Sequence, residues 1–167
     1  MSLAESFFEP DECHPIDLVE SLAEHHAWEF DRVHDDRIAM AVEGQWRTYA
    51  LTLAWSPRDE TLRLICTFEM EPPAYRLPAL FEALNEINDR SGAGALSWWA
   101  EQRVMVYRYG LVLAGEQIVS PEQIDTMIHT AVTCCERYYP ALQLVTWAEK
   151  APKDALGIAM AETFGRC

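Results

Sequence analysis

The alternation of bulky and small or polar residues between Trp28 and Phe68 constrains this chain more than any other feature. Trp28 and Phe30 alternate with Glu29 and Asp31, and Ile38, Met40 and Val42 with Ala39 and Ala41. Tyr49, Leu51, Leu53 and Trp55 alternate with Ala50, Thr52 and Ala54, and Leu62, Leu64, Cys66 and Phe68 carry the bulky row onward. Successive side chains on a strand point to opposite faces, so the pattern predicts four strands that each bury one face. His34-Asp35-Asp36, Glu43-Gly44-Gln45 and Ser56-Pro57-Arg58-Asp59 punctuate the runs with turn-forming residues. None of these connections is long enough for a parallel crossover, so the four strands form an antiparallel meander.

Helical periodicity brackets the meander. Pro15 suits the first turn of a helix, with Asp17 at its positive end and Ile16, Val19, Leu22 and Ala23 as its inward stripe; this helix ends near His25-His26. After Glu71-Pro72-Pro73 breaks the sheet, Leu77, Leu80, Phe81, Leu84 and Ile87 recur at offsets of three and four and predict a second helix that buries this face. Ser91-Gly92-Ala93-Gly94 reads as a turn, and Leu96 to Ala100 and Arg103 to Leu113 as two more strands. Ser120, Pro121 and Gln123 make a capping-box start for a third helix, with Ile124, Met127, Ile128, Ala131, Cys135 and Tyr138 inward. Pro140 kinks or ends it, Ala141 to Trp147 continues helically, and Lys153 to Phe164 forms a terminal helix. The order α-ββββ-α-ββ-α plus a C-terminal helical tail segregates strand runs from helix runs, so the class is α+β with an antiparallel sheet. Residues 1–14 form an acidic lead-in and residues 15–167 a single domain, a size that needs no disulfide or metal support.

The last two strands differ from the first four because both of their faces are largely apolar. Met105, Tyr107, Tyr109 and Leu111 make one row, and Val104, Val106, Arg108, Gly110 and Val112 the other. Trp98 and Trp99, as neighbours on a strand, point to opposite sides. Helices on one face and a second subunit or partner on the other would account for this. Trp98, Trp99, Tyr107, Tyr109 and Trp46 are therefore the candidate partner or dimer surface, since aromatic side chains bury large areas at small entropic cost; the competing reading is that they are core.

Charge and motif content narrow the chemistry. The net charge is −14, and residues 1–43 carry twelve acids against two arginines. Such a surface repels phosphate backbones, so no nucleic-acid partner is expected. No apolar run approaches the ~20 residues of a membrane span and no secretory signal is legible, which makes the cytoplasm the expected compartment. Cysteines at 13, 66, 134, 135 and 167 form no Cys-x-x-Cys pair, against a disulfide framework or a zinc knuckle. Adjacent Cys134 and Cys135 read as helix packing, with a redox or metal role as the alternative. Cys13-His14 with His25-His26 could supply metal ligands but lack a spaced motif, and His34-Asp35-Asp36 reads as a turn. Glu82, Glu86 and Asp89 share a helix with Arg90, four residues after Glu86, and read as a salt-bridged solvent face. Neither a nucleophile elbow nor a phosphate-binding loop is present. No catalytic residue, metal site or cofactor is predicted.

The segment Ala83-Leu84-Asn85-Glu86-Ile87-Asn88, the small-residue turn, Leu96 to Ala100 and Val104-Met105-Val106-Tyr107-Arg108-Tyr109 resemble the YbjN family of bacterial proteins. Cys135 to Val145 and Lys150 to Leu156 look like its alphaproteobacterial branch, and the likeness covers about residues 15–163. The family is described as sensory-transduction regulators with a fold similar to type III secretion chaperones, cytoplasmic homodimers that bind extended segments of other proteins. The resemblance thus implies a non-enzymatic, chaperone-like or regulatory protein-binding module, a homodimer with a protein or peptide client. The alternative is a small-molecule-responsive regulatory domain with a pocket between sheet and helices.

Overall fold

In a computed structural model the described residues are 14–115, 117–148 and 150–164, with side chains described through 158. The acidic lead-in, apart from His14, and Cys13 and Cys167 lie outside them. The elements run α1 (Pro15–His25), β1 (Glu29–His34), β2 (Arg37–Glu43), β3 (Thr48–Ser56), β4 (Thr61–Glu69), a 3-10 turn (Ala74–Arg76), α2 (Leu77–Arg90), β5 (Ala95–Trp99), β6 (Val104–Val112), α3 (Pro121–Thr146) and α4 (Pro152–Phe164). The α+β order expected from the sequence is the one observed. All six strands join one antiparallel sheet in the order β1-β2-β3-β4-β6-β5.

One row from each central strand builds the core. Ile38, Met40 and Val42, then Tyr49, Leu51 and Leu53, then Leu62, Leu64, Cys66 and Phe68, then Met105 and Tyr107 with Leu96, face the helices. Ile16, Val19 and Ala23 of α1, Leu80, Ala83, Leu84 and Ile87 of α2, the α3 stripe from Ile124 to Val145, and Ala155 and Leu156 of α4 complete the same cluster. All four described helices therefore serve one side of the sheet. Phe81 departs from the expected stripe: it is 52% exposed, because α2 centres its buried arc on Ala83 and Leu84 and turns Phe81 to solvent.

Caps fix the helices on this frame. His14 is the N-cap of α1: its Nδ1 accepts from the Ile16 amide at 3.1 Å, and its Nε2 lies 2.8 Å from Asp36 Oδ1 in the β1–β2 turn. Its imidazole is thereby committed to structure. The Ser120 box at the start of α3 forms in both directions, at 3.1 and 2.8 Å. α3 runs on through Pro140 because Ala141, Leu142 and Val145 beyond it still bury against the core. Arg76 closes the far end, its guanidinium donating to the carbonyls of Val145 (2.8 Å) and Lys150 (2.9 Å).

Candidate functional site

The face of the sheet turned away from the helices has a regular layout. Strand register places Arg37, Ala54, Arg63 and Gly110 side by side in one row, then Asp31, Ala39, Thr52, Ile65, Arg108 and Ala95 in the next. Glu29, Ala41, Ala50, Thr67, Val106 and Ser97 follow, and Glu69, Val104 and Trp99 belong to the last row with Glu43 and Thr48. No helix covers this surface among the described residues. Its centre is alanine, threonine and isoleucine, while Val106 at the β6 side is fully buried. Arginines stand at one end, and acids at the other end and along β1.

An antiparallel sheet with a solvated face ordinarily carries polar residues there. Small apolar residues in their place leave a shallow, flat surface on which another backbone can lie close. At its β5 end Trp99, Ala95, Ile65 and Arg108 line a groove of about 590 Å³. Beside it the Ser97 hydroxyl is buried without a hydrogen-bond partner.

The five aromatic candidates do not form one patch. Trp99 lies on the uncovered face and Trp98 on the helix side, packed against the core, as the alternation requires. Tyr109 is half-buried on the helix side. Tyr107 must be removed from the surface set: it is 1% exposed, and its hydroxyl donates to the Ala93 carbonyl at 2.6 Å. Gly94 makes this possible, since a Cβ there would fall 2.3 Å from the Tyr107 hydroxyl at a φ of +71°. Trp46 is 50% exposed on the β2–β3 turn, with β4 and β6 between that turn and Trp99 on β5, and its amide is held by Glu136 of α3 on the helix side. The residues that sequence reasoning passed over are Arg37, Arg108 and the alanine row, although that row was visible as the small half of each alternation.

The remaining clusters are structural. Glu136 of α3 accepts from the Gln45 and Trp46 amides at 3.0 and 3.3 Å and from the Tyr49 hydroxyl at 2.5 Å, latching the β2–β3 turn to the helix layer. Burial first, and then this bond to a carboxylate, push the Tyr49 phenol far above its ordinary value. Cys135 is buried with its Sγ 3.8 Å from Cys66 Sγ, which together with burial pushes its thiol up strongly; burial raises Cys134 to about 12. Both thiols stay protonated near pH 7, which leaves little thiolate for nucleophilic attack. His26 stacks on Trp28 and lies 3.0 Å from Asp125 Oδ1, tying α1 to α3. Among the described residues no group of three or more His, Cys, Asp or Glu is placed to hold a metal, and no helix is long and apolar enough to cross a membrane.

Comparison with known proteins adds a family and a fold. The YbjN family model, described as "putative bacterial sensory transduction regulator", matches residues 15–144. A crystal structure of YbjN from E. coli, described as a "putative transcription regulator", superposes with a TM-score of 0.51 at 15% identity, covering 81% of this chain and 92% of that one. A HopA1-SchA chaperone–effector complex gives 0.47 at 16% identity, covering 71% of this chain and 86% of that one. No curated protein sequence matches the chain.

Proposed function

Because the chain belongs to the YbjN family, we propose that it is a non-enzymatic regulatory module of the bacterial cytoplasm that works by binding protein, first a second copy of itself through the uncovered sheet face. The observation that carries this reading is the one-sided packing of the helices against a sheet whose other face is small and apolar at its centre. Six strands about 4.8 Å apart and four rows about 6.6 Å apart give a face of about 480 Å² per copy. Two such faces in contact bury about 960 Å², close to the ~1,000 Å² that specific interfaces need. The charge layout supports a twin as occupant. A two-fold axis through the face brings the Arg37, Arg63 and Arg108 end of one copy over the Glu29, Glu43 and Glu69 end of the other.

A client segment has a separate place to bind. β5 is closed on its outer side by α2, whereas β1 is the sheet's other edge and pairs on one side only. An extended segment adding to β1 would run beside Glu29 and Asp31 in the most acidic part of the chain, which favours clients with basic residues.

Light scattering over a concentration series tests the dimer. The expected mass is twice 19.1 kDa, returning to that of one chain when Ala50→Arg places a long cation at the centre of the face, with the melting temperature unchanged. A single-chain mass at every concentration overturns the reading.

A further inference from the structure

On the helix side, a cavity of about 520 Å³ opens between α3 and the loop after α2. Arg90 at the end of α2 and Arg137 on α3 both line it, with the Ser91–Ala93 loop and Thr130, Thr133 and Cys134 between them. Neither arginine makes an ion pair with any described residue. For Arg90 this is unexpected, since Glu86 stands four residues before it, in the favourable order for a helix pair, and that pair does not form. The carboxylate that lines the cavity, Asp125, is turned to histidines: its Oδ1 is 3.0 Å from His26 Nε2 and 3.5 Å from His129 Nδ1.

In a chain with 27 acids and 13 bases, two arginines from different elements that share a cavity and leave nearby carboxylates aside are a distinctive arrangement. Two guanidinium groups are planar forks of N–H donors suited to bidentate contact with carboxylate or phosphate oxygens. Apart from Asp125, which is turned to the histidines, the lining supplies hydrogen-bonding groups, namely threonine hydroxyls and a thiol that stays protonated. The volume lies within the ~300–1,000 Å³ of small-molecule sites.

We propose that this cavity binds a small dianion, a dicarboxylate or a phosphate monoester, clamped between Arg90 and Arg137. The net negative field of the molecule disfavours anions at long range, but screening confines that field to about 8 Å at physiological salt, so recognition rests on these two close contacts. The cavity lies on the opposite side of the sheet from the docking face, and the inference stands apart from the dimer reading.

Calorimetric titration of the full chain with succinate, inorganic phosphate and phenyl phosphate at physiological salt tests it, and the probe that saturates identifies the anion. We expect one-to-one binding that weakens at least about tenfold in Arg90→Gln and in Arg137→Gln and is lost in the double variant. Both arginines are exposed, so the unliganded melting temperatures stay at the wild-type value. Thr133→Glu, which brings a carboxylate to the cavity wall, suppresses binding without removing either cation, whereas Arg58→Gln in the β3–β4 turn leaves it unchanged. No saturable binding of any of the three probes, or equal affinity in the wild type and the double variant, overturns the proposal.

Discussion

Glu136 latches the β2–β3 turn to the helix layer. One carboxylate satisfies two amides of the β2–β3 turn and the Tyr49 hydroxyl, and Gly44 permits the approach, since a Cβ there would sit 2.2 Å from Glu136 Oε1 and 2.6 Å from Tyr49 Cε2. Hydrogen bonds to charged groups contribute about 1.5–3 kcal/mol each, less where they are exposed, so Glu136→Ala should cost about 2–4 kcal/mol in urea unfolding, with Glu136→Gln between it and the wild type. The buried phenols give a prediction with a sign. Tyr49 and Tyr107 are both raised above the ordinary value of 10.0, mainly by burial. The folded state then holds those protons more tightly than the unfolded state. The stability this contributes is fully present below about pH 10 and is lost as pH rises toward the folded values. Ultraviolet titration should show that neither tyrosine forms phenolate before the fold melts, and stability that stays level above pH 10 would contradict this.

At the scale of elements, α2 and β5 show how the sheet ends. Asn88 donates from Nδ2 to the Leu96 carbonyl at 2.9 Å and accepts the Leu96 amide on Oδ1 at 2.8 Å, so a side-chain amide stands where a seventh strand would pair. Asn88→Ala should cost about 1–3 kcal/mol and, by baring an edge next to Trp98, raise aggregation on heating, measured by turbidity alongside calorimetry. Asn88→Asp, which keeps only the acceptor, should fall between. The first four strands and the first three helices were legible because each buries mainly one face and so imposes period 2 or 3.6 on its residues, whereas β5 and β6 were legible from their run of β-branched and aromatic residues. Local period says nothing about which strands pair, so the insertion of β6 between β4 and β5 was not legible. Phe81 was misplaced because five apolar positions at offsets of three and four cover a wider arc than α2 buries. Tyr107 was misplaced because its fate depends on a hydrogen-bond acceptor and a glycine in a loop twelve or more residues away. The uncovered face was half legible: its aromatic residue, Trp99, stood out, whereas alanines stand out only once register sets them side by side.

At the scale of the molecule, the sheet separates a core from the face proposed for contact, and adjacent tryptophans report on the two sides. Trp98→Ala removes a ring packed on the core and should destabilise the domain by roughly 3 kcal/mol. Trp99→Ala should leave thermal unfolding nearly unchanged while weakening self-association by on the order of 2 kcal/mol. Equal effects of both on unfolding would place the contact surface elsewhere. A stronger test uses the charge layout itself. Arg37 and Arg108 make no ion pair with a described residue, whereas Arg63 meets Asp59 at 2.6 Å, so the first two are the cations free to serve a partner. Replacing Arg37, Arg63 and Arg108 by Glu leaves a face acidic throughout, and replacing Glu29, Asp31, Glu43 and Glu69 by Arg leaves it basic at both ends. Each variant opposes like charges across a two-fold axis and should lose self-association, while these exposed positions leave the fold intact. Mixed in equal amounts, the two variants restore opposite charges at both ends of the face and should form a heterodimer, detected by light scattering as recovery of the doubled mass. Recovery should weaken as salt rises, since interactions across solvated edges are screened. Variants that each remain dimeric alone would show that the uncovered face is not where the copies meet.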